Sequence, residues 1–169
     1  MARTLARRAA LFGLLGGLLF AAKMAMAPLP NIEPVSLLVM LYAVCFGVEG
    51  LYAVYVYVLL EYAAWGIQLW SVFYLYVWLV LFCLARLLRS MESPFGWAAL
   101  SGLFGLSFGA LCALTYWAAG GWAAALSWWL SGIPWDLLHG AANFAIALAL
   151  FRPLRKLLTR LGAQYGFHM

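Results

Sequence analysis

The sequence predicts an all-α polytopic membrane protein: a compact bundle of six transmembrane helices forming one membrane domain over residues 1–169, with both termini cytoplasmic. Three observations carry that expectation. Of the 169 residues, 68% are hydrophobic and only 9% are charged, and the mean hydropathy is +0.99. Soluble domains carry about a quarter charged residues, so lipid must take the place of water around most of this chain. The apolar residues fall into segments punctuated by Pro, Gly and charge, and the basic residues sit at segment ends.

A span takes about 20 apolar residues, fewer where a helix is short or buried among neighbours. The first predicted helix covers residues 5–27 and is broken by Pro28 and Pro30. Ala25-Met26-Ala27, behind Arg3, Arg7, Arg8 and an apolar run, resembles a signal-peptidase site. The second apolar segment follows after so short a loop that a retained helix is expected instead. The next helices are predicted at 34–47, 51–65, 69–88 and 95–119. Residues 120–132 are apolar and Trp-rich but short, and are expected to form an interfacial or re-entrant connection. Pro134 suits the first turn of a helix, where a missing N–H costs nothing, so the last helix is predicted at 134–158.

Arg3, Arg7 and Arg8 precede the first helix, Arg86 and Arg89 lie between the fourth and fifth, and Arg152, Arg155, Lys156 and Arg160 close the chain. That puts nine of the ten Lys and Arg on one side, which the positive-inside rule makes cytoplasmic. The net charge of +5 therefore reads as topology, and no nucleic acid polymer is expected as a partner. Cys45, Cys83 and Cys112 stand singly in apolar runs and read as small buried hydrophobes. There is no P-loop, so the chain is not expected to hydrolyse ATP itself.

Two ladders of small residues recur at every fourth position: Ala9, Gly13, Gly17, Ala21 and Ala25 in the first helix, and Ser101, Gly105, Gly109 and Ala113 in the fifth. Such ladders let another helix approach closely. For the fifth helix, packing inside the bundle is the expected use. For the first, internal packing and docking onto a separate membrane protein stand level.

Ionisable groups in a membrane interior are costly and mark functional sites by default. Glu49 and Glu92 fall in cytoplasmic connections, but Glu33, Glu61 and Asp136 are predicted near the outer face. Asp136, His139 and Asn143 follow an i, i+3, i+7 pattern and share one helical face. Asn31, Gln68, Tyr74 and Tyr76 are expected at a similar depth, with Trp65, Trp70, Trp128, Trp129 and Trp135. An aromatic belt and a dipole-favoured Asp136 would account for parts of this set. A small-molecule site accounts for the whole of it better. One His and scattered acids make a poor metal set, and no nucleophile is paired with His139, so neither a metal centre nor a catalytic group is expected. Three acids face one nearby base, Lys23, a balance suited to a cationic or donor-rich ligand, unless the acids pair internally or are protonated.

The runs AMAPLPNIEPVSLLVMLYAVCFG, LLEYAAWGIQLWSVFYLYVWLV and SGIPWDLLHGAANFAIALALFRPL resemble the substrate-specific S component of energy-coupling factor (ECF) transporters, over nearly the whole chain. The resemblance implies a prokaryotic plasma-membrane subunit that captures a vitamin-like or nucleobase-like micronutrient from outside. It would deliver the compound inward when docked on an EcfT-like membrane scaffold and two cytoplasmic ATPase subunits. ATP would be used by those partners, with no cofactor bound by this chain. The family docks through small residues on its first helix, typically AxxxA. Ala21 and Ala25 fit that literally and Gly13 and Gly17 extend it, with glycine where alanine is more usual. Family pockets use the first loop and the outer halves of helices four to six, which Asn31, Tyr74, Trp78, Asp136, His139 and Asn143 match. With these, Glu33, Glu61, Gln68 and Trp135 complete the expected substrate-binding set. An acid-lined, ring-rich pocket suits a queuosine/queuine-type deazapurine or a thiamine-like heterocyclic cation better than acidic folate or biotin. The competing expectation is a stand-alone secondary transporter using Glu61 and Asp136 as an ion relay.

Overall fold

The computed structural model describes residues 2–167, with side chains described from Leu5 onward. Arg3, one of the basic residues counted above, lies outside the described side chains. Helices make up the architecture, and no strand occurs among the described residues: α1 (Ala2–Ala25), α2 (Val35–Phe46), α3 (Gly50–Trp65), α4 (Leu69–Val72), α5 (Tyr74–Leu87), α6 (Pro94–Leu106) and α7 (Phe108–Gln164). Four helical stretches, Leu5–Ala25, Val35–Trp65, Leu69–Leu87 and Pro94–Gln164, are long and apolar enough to cross a membrane.

Pairwise contacts give the direction of each segment. Arg8 meets Glu49 and Lys23 meets Glu61, so α1 and α3 run the same way. Between them α2 runs back: Tyr42 donates to the Leu15 carbonyl at 3.0 Å, and the Phe12 and Phe46 rings lie 5.8 Å apart. Gly47, at φ 64°, ends α2 in a conformation that favours glycine. α5 reverses α3: Gly50 at the start of α3 lies against the Phe82 ring, whereas Tyr57, further along α3, packs on Tyr74 and Trp78, earlier in α5.

α2 is the inner strut, with every residue from Val35 to Phe46 buried. A helix apolar all round has no solvent face and must be enclosed. Its 12 residues amount to about 18 Å of rise, well short of a hydrocarbon core of about 30 Å. Enclosure by protein removes the need to match the lipid.

The last two predicted helices are joined differently from the sequence expectation. Within α7 the one non-helical residue is Gly121, at φ 74° and ψ −169°, and the chain folds back there. The Tyr116 and Trp128 rings stack with centroids 4.0 Å apart, although 12 positions of straight helix would separate them by about 18 Å. Residues 122–132 are therefore helical and continuous with the final helix, and Pro134 lies inside α7 instead of opening it. A single glycine with positive φ makes the reversal, so no separate connection is needed. Pro134 forfeits one backbone hydrogen bond but does not end the helix.

α6 starts on a Ser93 cap, whose hydroxyl accepts from the Gly96 N–H at 3.2 Å, with Pro94 in the first turn. It bends into α7 at Ser107, where the hydroxyl donates back to the Leu103 carbonyl at 2.8 Å. Such back-bonding bends helices.

The two small-residue ladders have different neighbours. Ser101, Gly105, Gly109 and Ala113 are buried, and Gly105 faces Gly140 across the α6–α7 contact. In α1 the contact with α3 uses Gly16 instead, where an added Cβ would lie 2.6 Å from Val56 and 2.7 Å from the Ala53 carbonyl. Gly13 and Gly17 have nothing within 4 Å of that position, and Ala21 and Ala25 are exposed. Gly16→Leu is therefore expected to destabilise the protein by about 1–3 kcal/mol through overpacking, whereas Gly17→Leu stays within about 0.5 kcal/mol. Thermal unfolding of the two purified variants in detergent checks the contrast.

Candidate ligand-binding site

At the end of the bundle away from both chain termini, the loop between α1 and α2 lies over two adjoining cavities. It is built of successive turns, with Leu29 N–H donating to the Met26 carbonyl and Ile32 N–H to the Leu29 carbonyl. Asn31 sits at φ 57°, a conformation asparagine tolerates better than most residues. Its amide donates to the Trp135 carbonyl at 3.3 Å and ties the loop to α7.

The larger cavity is about 610 Å³, walled by Phe73, Phe108, Trp128 and Trp135 and bordered by Tyr74 and Asp136. The smaller, about 430 Å³, reaches Lys23, Glu33, Trp70 and His139. Pro30, Asn31, Tyr74 and Phe108 border both. Phe73 and Phe108 stand at the bends between α4 and α5 and between α6 and α7, and their rings meet edge to face at 5.8 Å. The two bends thus turn rings into the site.

Asp136 is the polar centre of the larger cavity, 8% exposed. One carboxylate oxygen, Oδ1, accepts the Gly109 backbone N–H at 2.9 Å. The Ser107 bend leaves the first N–H groups of α7 without helical partners, and a carboxylate is the favoured group there. Only glycine at 109 allows this approach, because a Cβ there would collide with the Asp136 carboxylate. The second oxygen, Oδ2, is buried with no hydrogen-bond partner among the described residues. One turn along, His139 is 3% exposed, its ring edge-on to Phe108 at 4.9 Å and its Nε2 likewise without a partner.

Lys23 is engaged, donating to Glu61 at 2.6 Å and to the Tyr74 hydroxyl at 2.8 Å. Glu33, in the loop, is half-buried, and burial pushes its carboxyl above the ordinary carboxylate range while the Lys23 ammonium acts against that shift. The site therefore presents unsatisfied acceptor capacity between aromatic walls. A flat guest with hydrogen-bond donors or a positive charge would complete it. Among the described residues no three His, Cys, Asp or Glu side chains converge as metal ligands.

Of the sequence-predicted site residues, Asn31, Glu33, Tyr74, Trp135, Asp136 and His139 border these cavities. Four do not. Glu61 is 1% exposed behind Lys23. Gln68 caps α4, accepting from Trp70 Nε1 and donating to the Trp65 carbonyl. Trp78 is wholly buried among Tyr57, Tyr74, Phe104 and Phe108. Asn143 donates to the Ser36 hydroxyl at 3.0 Å and fastens α7 to α2. Phe73, Phe108 and Cys112 are wall residues that the sequence does not reveal, since single apolar residues at bends give no periodic signal. Lys23 reads from the sequence only as a nearby base.

Comparison with known proteins adds no relative: no protein-family model, no curated protein and no solved structure matches the chain.

Asp136→Ala removes the acceptor for a buried N–H and is expected to cost about 1–3 kcal/mol. Asp136→Asn keeps a carbonyl oxygen for Gly109 and costs less. Melting temperatures of both variants in detergent check that order. For a cationic guest, only ionised Glu33 attracts, and its raised carboxyl ionises at higher pH than an ordinary glutamate. Affinity should therefore tighten as pH rises through that range, and Glu33→Gln should flatten the profile in a calorimetric titration.

Proposed function

We propose that the chain is the membrane-embedded substrate-binding (S) subunit of an ECF-type importer. In this reading it captures a micronutrient outside the cell and releases it inward when docked on an EcfT-like scaffold with two cytoplasmic ATPases. It is a transporter subunit, not an enzyme. The observation that carries the proposal is the unpartnered Asp136 Oδ2 in an aromatic-walled cavity under the Pro-rich loop. A buried acceptor left open is costly unless something fills it.

Three further features support the reading. The chain reverses at 26–34, 47–49, 66–68, 88–93 and Gly121, which fits six crossings. The Arg8 guanidinium lies 4.6 Å from the Phe167 ring, so both ends of the chain meet at one end of the bundle. Arg86, Arg89 and Arg155 gather at that same end, which the positive-inside rule makes cytoplasmic. Third, the small-residue face of Gly13, Gly17, Ala21 and Ala25 is not used for internal packing and is open to a scaffold helix. The ion-relay alternative has less support, because Glu61 is ion-paired with Lys23 and borders neither cavity.

The shape and acceptors of the site favour a donor-bearing heterocycle, of queuosine/queuine-type deazapurine or thiamine-like cationic character. Mass spectrometry of small molecules released from the purified protein should identify one such compound, and Asp136→Asn should lose it; an empty wild-type protein would count against capture. Gly17→Leu should retain the compound yet abolish ATP-dependent uptake in cells supplying the scaffold and ATPases, and normal uptake would remove the docking assignment.

A further inference from the structure

We propose that the cavity at the opposite end of the bundle binds a phosphate oxyanion, supplied by the headgroup of an anionic membrane lipid. The cavity, about 590 Å³, lies where the start of α1, the α2–α3 turn, the end of α5 and α7 meet. Arg8, Arg86, Arg89 and Arg155 border it, and Glu49 is the one acid among its lining residues. Four guanidinium groups thus face one carboxylate, and Arg8 engages that carboxylate at 2.8 Å.

Part of this arrangement is structural. Arg86 donates to the Ala43 carbonyl at 3.3 Å and Arg155 to the Met91 carbonyl at 3.4 Å. Basic side chains commonly satisfy carbonyls near helix ends in this way. Each of those bonds is long and uses one of five donors. Arg89 is not used in this way, and its side chain forms no hydrogen bond or ion pair among the described residues. Arg8 Nε is buried without a partner.

Cations gathered around one cavity repel unless an anion sits among them. A phosphate oxyanion is the natural occupant, because guanidinium forks match its oxygens and donate charge-assisted bonds. The place suits a lipid. The cavity opens at an end of the bundle, where headgroups lie, and basic pockets between membrane helices are known to take acidic headgroups. A soluble phosphate shares the chemistry and differs only in source. None of this depends on the ligand at the aromatic end.

Native mass spectrometry of the full-length protein in detergent tests the proposal, using dioleoylphosphatidylglycerol against dioleoylphosphatidylcholine. The phosphatidylglycerol should be retained preferentially. Arg89→Gln, which disturbs no carbonyl contact, should weaken its retention about fivefold. Arg160→Gln, beside a neighbouring cavity, should leave retention unchanged. Equal retention of both lipids would overturn the proposal. So would an equal loss in Arg160→Gln, which means diffuse surface charge, or no loss in either Arg89→Gln or Arg86→Gln. Inorganic phosphate, added against chloride of matched ionic strength, separates the sources. Displacement only by a large molar excess of phosphate supports the lipid, and displacement by phosphate at the lipid's own concentration overturns the lipid source.

Discussion

Asp136 reaches the Gly109 N–H only because two limbs of the α6–α7 hairpin lie almost backbone to backbone. Gly105 faces Gly140, and Gly102 faces Phe144 and the Gly140 carbonyl, with no room at any of them for a further carbon unless its neighbours shift. Most of the site depends on that closeness. It brings Asp136 to the start of α7, aligns His139 with the Phe108 ring, and stacks Tyr116 on Trp128. In a membrane no hydrophobic force holds helices together, so close packing and buried hydrogen bonds must do it. The glycine seam supplies the first, and Asp136 to Gly109 supplies the second. One carboxylate oxygen is used for structure and the other has no hydrogen-bond partner among the described residues.

A second constraint is the enclosure of α2. Its length is inadequate for lipid and adequate for a protein interior, so the other helices must wrap it. That wrapping fixes Ser36 beside Asn143 and Tyr42 beside α1, and it sets the depth of the loop above. The Lys23–Glu61 pair works at the same level. A buried ion pair adds little net stability, yet removing one partner strands the other at a cost of about 3–5 kcal/mol. Lys23 is held by Glu61 and Tyr74 at the smaller cavity, and Asp136 is the carboxylate that borders the larger one.

Hydropathy made the helical, membrane-suited character legible, and the i, i+3, i+7 pattern put Asp136, His139 and Asn143 on one face. The pattern could not tell which of them looks into a cavity. Asn143 lies two turns below Asp136, donates to Ser36 of α2 instead, and borders neither cavity. Glu61 and Gln68 border neither cavity for a related reason: a polar residue at the right depth can be engaged by a neighbour, and a sequence does not show the neighbour. The Gly121 reversal was hidden as well. Residues 120–132 are apolar apart from Ser127 and Ser131, and only a backbone angle distinguishes a tight helical hairpin from an interfacial or re-entrant connection.

The two ends of the bundle now differ in chemistry as well as in position. One offers an unfilled acceptor among rings, under a loop pinned by Asn31; the other offers guanidinium groups in excess of carboxylates. Between them, Gly13 and Gly17 of α1 face outward while Gly16 packs on α3. A protein that only spanned the membrane would need neither the unfilled acceptor nor the surplus arginines. Each is a cost in the isolated chain, an unpaired buried oxygen at one end and like-charge repulsion at the other. On the proposed readings, a donor-bearing guest would remove the first cost and an anion the second. In α1, Gly13 and Gly17 of the fourth-residue ladder meet nothing that an added Cβ would touch, while Gly16, out of step with it, makes the tight contact to α3. On the proposed reading, that outward small-residue face is where a scaffold helix would lie.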